Sequence, residues 1–433
     1  MAGTSGVEEV LTREVAGPRR LVRALRSRNY RLYFGGQGLS LIGTWMQRVA
    51  MSWLVYRLTG STLLLGVVGF ASQIPTFIFA PFAGVLADRV NRRTVIIVTQ
   101  ALAMLQALLL AALVLTGAIA VWQIVVLGVF LGVINAFDMP VRQSFVVEMV
   151  ENKEDLGNAI ALNSSMVNGA RLIGPSIAGV LVAAVGEGIC FLINGLSYLA
   201  VIAALLAMTI TRHEVRPQGP HGWRGLREGF LYAFNFAPIK AVLLLLALVS
   251  LVGMPYTVLM PVFAQEILRG GPSTLGFLMG ATGVGAMLGG IYLASRRSVL
   301  GLGRFIPLAT GIFGLGLVAF SLSRALWLSL LLLLVVGFGM TAQAASSNTV
   351  LQTIVEEDKR GRLMSFYTMA FMGMVPFGSL LAGGLASLIG TPRTVMVGGL
   401  VSIAGGLLFI QRISAYLRRE TAPQKVCEIW KSR

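Results

Sequence analysis

Apolar runs of roughly 20–30 residues alternate along the chain with short stretches that hold most of the charge, and each run is long enough to cross a hydrocarbon core about 30 Å thick. In order they cover approximately 31–57, 61–87, 94–116, 121–146, 158–185, 188–210, 239–265, 273–295, 303–323, 325–351, 362–389 and 392–416, which predicts an all-α polytopic protein with twelve membrane helices. The longest connection parts them six and six. The organisation expected is a tail (1–30), a six-helix bundle (31–210), a linker (211–238), a second six-helix bundle (239–416) and a closing tail (417–433). Within the linker, Arg212 to His221 is rich in turn residues. From Trp223 onward, Trp223, Leu226, Phe230, Ala233 and Phe234 share a face beside Arg224, Arg227 and Glu228, which predicts a short helix lying in the membrane interface.

Charge then assigns sides. Arg89, Arg92 and Arg93, then Arg142 and Lys153, then Arg212 to Lys240, then Arg296, Arg297 and Arg304, then Lys359, Arg360 and Arg362 occupy alternate loops, and the intervening loops hold only Arg57, Arg269, Arg324 and Arg393. Lys and Arg accumulate on cytoplasmic loops, so both basic tails are expected in the cytoplasm. With 56% hydrophobic and 12% charged residues and a mean hydropathy of +0.79, the chain is a membrane protein by composition as well as by pattern. The net charge of +17 sits at the ends of apolar runs and on no soluble domain, which argues against nucleic acid as a partner. Cys190 and Cys427 make neither a disulfide framework nor a metal-ligand spacing, and His213 and His221 read as solvated linker. The spans hold no paired carboxylates or Ser/His arrangement and the chain has no phosphate loop of the GxxxxGK[ST] form, so neither an enzyme nor an ATP-driven pump is expected, and no cofactor or metal.

One charged hinge stands out: Gly84-Val85-Leu86-Ala87-Asp88-Arg89-Val90-Asn91-Arg92-Arg93, between the second and third spans. If the second helix continues through it, Gly84, Asp88 and Arg92 fall at intervals of four on one face. Gly84 would then admit a neighbouring helix and Asp88 could accept from that helix's first N–H groups, although a short turn with positive charge is also all that topology demands. The halves echo each other at an offset of roughly 205 residues. Leu86-Ala87-Asp88-Arg89 answers to Leu293-Ala294-Ser295-Arg296, and Val150-Glu151-Asn152-Lys153 to Val355-Glu356-Glu357-Asp358, as parallel repeats do, with a site expected at mid-membrane between them.

On these features the sequence resembles a major facilitator superfamily transporter: two six-helix halves, the signature hinge between helices two and three, and Asp358-Lys359-Arg360-Gly361-Arg362 before helix eleven. Asn91 stands where the signature usually has Gly, and Ser295 replaces the Asp in the second copy, so a single strong latch is expected. The resemblance implies that Asp88 packs against the start of helix eleven near Gly361 and that Arg92 meets an acid on helix four, with Asp138 the candidate; Arg89 and Arg142 complete the gating group. Ala170-Arg171-Leu172-Ile173-Gly174-Pro175-Ser176-Ile177-Ala178-Gly179 is similar to the superfamily's antiporter motif, although Gly and Pro are common in membrane helices generally. Gly43-Thr44-Trp45-Met46-Gln47, Trp53 to Ser61 and Ala161-Leu162-Asn163-Ser164 look like phrases of the exporter subgroup that includes the enterobactin exporter and macrolide efflux pumps. The resemblance implies alternating-access export of amphipathic drug-like compounds or siderophores from a bacterial inner membrane, with protons and the lipid bilayer as partners and the chain acting as a monomer.

Charges inside the membrane are costly and ask for a reason. Arg48, Asp138 and Arg171 are the clearest, at depths of about 25, 12 and 20 Å from the cytoplasmic ends of their spans. Gln37, Leu41, Thr44 and Arg48 form one stripe of the first helix, and Ser164, Asn168 and Arg171 one stripe of the fifth, which together would line a positively charged pocket. Met340, Gln343 and Ser347 on span ten, with Tyr367, Phe371 and Met374 on span eleven, would form a softer wall suited to a large, partly aromatic, neutral or anionic molecule. The arginines could instead pair with backbone carbonyls, and the aromatic and Met residues could simply fill helix contacts. For energy coupling the expectation is proton antiport, with Asp138 and Asp88 exchanging partners among Arg92 and Arg142. A lysophospholipid carrier of the same fold, and a non-transporting receptor or scaffold, remain alternatives.

Overall fold

The computed structural model describes residues 22–87, 90–150, 153–209, 235–296, 298–418 and 429–430. Helices α1 (Arg28–Thr59), α2 (Thr62–Ala87), α3 (Arg92–Leu115), α4 (Val121–Met149), α5 (Leu156–Val185) and α6 (Glu187–Ala207) form the first bundle. In the second are α7 (Ala237–Ile267), α8 (Pro272–Ser295), α9 (Leu302–Leu322), α10 (Leu326–Ile354), α11 (Arg360–Ile389) and α12 (Thr391–Leu417). Among the described residues, eleven of these are long and apolar enough to cross a membrane by length and composition alone. The exception, α1, is 32 residues long and turns Gln37, Ser40 and Gln47 inward, where each is buried. An amide chain ties it to its bundle: Gln47 donates to Gln106 on α3 at 2.9 Å, and Asn194 on α6 donates to Gln47 at 2.7 Å.

Both bundles use one packing plan. In the first, α1 packs on α5 and α6, α3 on α4 and α6, and α2 on α4. The second repeats it, with α7 on α11 and α12, α9 on α10 and α12, and α8 on α10. The bundles meet along two seams, α5 with α8 and α2 with α11. Close approach there depends on glycine, which lets two helix backbones touch. A methyl group at Gly179 would lie 2.8 Å from the Gly276 Cα, and one at Gly66 would lie 3.0 Å from the Gly383 Cα. These pairs are pseudo-symmetry mates. Gly276 abuts the Pro175 carbonyl as Gly66 abuts that of Ser379, and Gly179 abuts the Pro272 carbonyl as Gly383 abuts that of Thr62.

The bundles differ in backbone regularity. The first helix, α1, runs unbroken, whereas its counterpart α7 passes through a π turn at Val249–Gly253, a 3-10 stretch at Met254–Leu259 and a second π turn at Phe263–Ile267. Pro255 and Pro261 account for the interruption, since each removes a backbone donor from the ladder. Helix α11 breaks between Phe371 and Val375, just before Pro376, whereas α5 carries Pro175 without a break.

Two expectations change here. The hinge is not one continuing helix: α3 begins at Arg92, and the Asn91 side chain accepts from the Thr94 N–H at 3.3 Å as its N-cap. Val90 and Asn91 are not helical, so no single helix carries through to Arg92, and Asn91 in place of the usual Gly acquires a capping role. Asp88, Arg89 and the interfacial helix expected from Trp223 lie outside the described residues. At the other end of the chain, Ile429 and Trp430 are buried, with the Trp430 ring against Gly303 at the start of α9.

Candidate functional site: a cleft between the bundles

One stripe of α5 changes character halfway along. At intervals of three and four, Gly157, Ala161, Ser164 and Asn168 are exposed, and then Leu172, Pro175 and Gly179 on the same face are sealed against α8. Its mate on α11 does the same: Gly361, Ser365, Thr368 and Met372 are exposed, and Ser379 and Gly383 are sealed against α2. Small and polar side chains would be a poor surface for lipid, so these upper stripes face water. The lipid side of α5 is elsewhere. Ile177, nine residues and two and a half turns from Asn168, is exposed on the opposite face.

The molecule is thus parted at the face where α1 begins and α12 ends, here termed the basic face, and closed toward the other, the far face. Closure at the far face uses more than glycine. Tyr56 of α1 donates to the Glu266 carboxylate at the end of α7, and Thr62 donates to the Gly383 carbonyl at 3.2 Å. At mid-membrane, Phe77 and Phe70 of α2 meet Phe377 of α11 edge-on, with ring centroids 6.0 and 5.9 Å apart. A methyl at Gly361, at the start of α11, would meet nothing within 4 Å among the described residues. A recess of about 410 Å³ lined by Thr349, Gln352, Thr353 and Arg360 adjoins it.

At the floor of the cleft, Trp45 brings two cations together. The Arg48 guanidinium stands 4.7 Å from the Trp45 ring centroid and the Arg171 guanidinium 5.7 Å from it. Leu39, nine residues from Arg48, is 55% exposed on the opposite face of α1, so α1 presents Leu39 to lipid and Arg48 to the interior. The two charges are at most about 10 Å apart, and at an effective dielectric near 20 they repel by at least about 1–2 kcal/mol. Cation–π attraction of about 0.5–2 kcal/mol for each offsets part of this. Tyr198 lies within electrostatic reach of Arg48, with its hydroxyl 3.4 Å from that of Thr44, and buried Tyr256 of α7 stands within reach of Arg171. Among the described residues no carboxylate forms an ion pair with either arginine.

Asp138 is arranged quite differently. It is 1% exposed, is ion-paired with Arg142 one turn along α4, and accepts from Thr99 at 2.8 Å and Gln100 at 2.9 Å. Arg92 does not reach it. The acid that Arg92 meets on α4 is Glu148, at 2.6 Å, three turns nearer the basic face. Glu148 lies at a helix end, where a charge costs little and depth gives no signal. An end position is also where Arg92, in the first turn of α3, can reach.

The remaining expected residues divide. Ser164 and Asn168 are exposed in the cleft, and Thr44, Arg171, Tyr367, Phe371 and Met374 are half-buried beside it. Gln37, Met340, Gln343 and Ser347 are buried in this conformation and do not line the open wall. Tyr367 stacks on Phe371 with centroids 6.0 Å apart and donates to the Ala344 carbonyl at 3.2 Å. The antiporter stretch earns its glycines by contact: a methyl at Gly174 would come within 2.6 Å of the Trp45 Cβ, Pro175 offers its carbonyl to Gly276, and Gly179 forms the seam. Arg171 is the member of that stretch that reaches the floor. Trp45, Tyr198, Tyr256 and the Tyr56–Glu266 bond were missed; the only sequence signal was the (i, i+3) spacing of Trp45 and Arg48.

Twelve helices in two like bundles, parted at one face over a charged floor and sealed at the other, define a membrane transporter of the major facilitator superfamily rather than an enzyme. More narrowly, the chain belongs to the transmembrane secretion effector family, whose model matches residues 22–427. It is 23% identical over 378 residues to the staphyloferrin A transporter of Staphylococcus aureus, covering 87% of this chain and 94% of that one. It is 26% identical over 408 residues to the multidrug efflux pump Tap of Mycobacterium tuberculosis, covering 90% and 92%. In fold it matches an inward-facing bacterial homologue of the human lysosomal transporter Spinster, with a TM-score of 0.68 at 13% identity over 94% of this chain and 100% of that one.

Proposed function

We propose that this protein exports amphipathic small organic molecules, drug-like compounds or siderophores, by alternating access across the inner membrane of a bacterium. Both termini and the Lys- and Arg-rich loops face the cytoplasm, in keeping with the positive-inside bias, so the open cleft is the cytoplasmic entrance. The carrying observation is the pair of stripes on α5 and α11, each wet on the basic side and sealed on the far side along one face. Substrate enters from the basic side, the bundles rock about the sealed seams, and the far side opens in turn. The relatives, a staphyloferrin A transporter and a multidrug efflux pump, support the reading of small-molecule transport, and the second supports the outward direction.

Protons drive the cycle by antiport, in a single chain. Release of Asp138 from Arg142, with Asp88 and Arg92 at the hinge, couples proton entry to the rocking of the bundles, because Asp138 cannot take a proton without giving up its ion pair. The test is uptake into everted membrane vesicles of a fluorescent amphipathic dye and a catecholate siderophore, with and without a pH gradient. Gradient-dependent accumulation of either supports export. Movement of labelled lysophospholipid alone would replace this reading by a lipid carrier.

A further inference from the structure

Resting on the exporter reading, we infer that the cleft floor selects organic polyanions: molecules with two or more carboxylate-, sulfonate- or catecholate-type groups on a flat body, held by Arg48 and Arg171 against Trp45. Arg48 is exposed and Arg171 half-buried, so both guanidiniums are open to a ligand from the cleft, and intramembrane charge elsewhere in the protein is paired, as Asp138 and Arg142 show. The two floor cations are the exception. No acid among the described residues forms an ion pair with either, and each acts on the other as a like charge. Within electrostatic reach of them stand the neutral hydroxyls of Tyr198 and Tyr256, and the buried Tyr256 hydroxyl lacks a hydrogen bond of normal geometry.

The second bundle brings no acid to the site either. On the register that matches Gly179 to Gly383, Val375 takes the place of Arg171. A cationic substrate would therefore add a third positive charge to the floor with nothing to balance it. A dianion would satisfy both guanidiniums, accept a hydrogen bond from the Tyr256 hydroxyl, and lay a flat body along the indole. Guanidinium favours such groups because its planar fork matches two oxygens at once.

Full-length protein in nanodiscs would be titrated with three pyrene probes read by fluorescence anisotropy: aminopyrene trisulfonate, uncharged aminopyrene and cationic pyrenemethylammonium. The trisulfonate should bind at least tenfold tighter than either of the others, weaken with added salt, and be displaced from wild-type protein by benzene-1,3,5-tricarboxylate. Arg48→Gln and Arg171→Gln should each weaken it about tenfold, and the Lys variants should recover part of the loss. Cation binding as tight as the trisulfonate, or an unchanged trisulfonate affinity in Gln variants that melt like wild type, would overturn the inference. Should the Gln variants not fold, failure of the tricarboxylate to displace the trisulfonate from wild type overturns it without them. Arg-dependent anion binding with no transport in vesicles upholds the anion site and removes the exporter reading; transport of cations with no anion binding does the reverse.

Discussion

The two bundles share one packing plan and divide the labour. Arg48, Asp138, Arg142 and Arg171 all lie within the spans of the first bundle, and its helices α1 and α5 are continuous. The second has no charge at the corresponding depths, and its helices α7 and α11 are interrupted. The register that matches Gly132 of α4 to Gly337 of α10, which abut the Ser72 and Thr282 carbonyls in turn, puts Gln343 opposite Asp138 and Ser347 opposite Arg142. There the first bundle has an ion pair, although its Arg142 Nε and the neighbouring Gln100 Oε1 are unmet, and the second leaves the Gln343 Nε2 and the Ser346 and Ser347 hydroxyls buried without partners among the described residues. The contrast lies in charge and in backbone regularity: continuous helices hold charged side chains in fixed places, whereas interrupted helices leave backbone that can rearrange. On the export reading, recognition sits in the first bundle and conformational freedom in the second.

The strongest way to break this comparison is at the seam that both bundles share. Gly179→Leu or Gly276→Leu forces a side chain into backbone and should cut vesicle transport more than tenfold, while Gly169→Ala, where a methyl meets nothing within 4 Å, should leave it unchanged. Equal transport by all three would show that the seam is not the closed gate. Next comes Asp138→Asn, which strands Arg142 in the membrane. The expected cost is about 3–5 kcal/mol of stability, seen as a lower melting temperature in detergent, with uphill export lost. Adding Arg142→Gln should restore much of the melting temperature and none of the export; restored export would remove the pair from coupling.

Against that, Gln343→Leu in the second bundle should be neutral or stabilising by up to about 1 kcal/mol, since it removes an amide that has an unmet donor. A loss as large as that for Asp138→Asn would erase the contrast between the bundles. Smaller still is Glu148→Gln, which weakens a partly exposed pair with Arg92 and should change transport less than fivefold, because such pairs contribute only about 0–1 kcal/mol. Tyr56→Phe should be the mildest. It removes one bond across the far gate and should raise accessibility of a far-face cysteine reporter two- to threefold in labelling rate.

What could be read from the chain follows from which forces are local. Span positions, the two-bundle split and the special status of Arg48, Asp138 and Arg171 came from hydropathy and from the cost of burying charge, both visible residue by residue. The partners of those charges were not visible. Asp138 was expected to exchange between Arg92 and Arg142, and only the fold shows that it holds Arg142 while Arg92 goes to Glu148 at the helix end. Gln343 and Ser347 fell on a plausible stripe, yet a stripe gives a direction on one helix and not what stands opposite. Trp45 was passed over for the same reason. An apolar ring in an apolar helix carries no local signal; its role exists only because α5 sets Arg171 beside it.

The glycine stripe of α5 and the substrate stripe above it are one line of residues, sealed below and wet above. That arrangement partitions what mutation can alter. A larger residue at Gly179 jams the bearing whatever the cargo, whereas Ser164 and Asn168, which are exposed, are free to change with it. On the export reading, substrate range is adjustable from the wet half of a single helix, while the seam it turns on stays untouched.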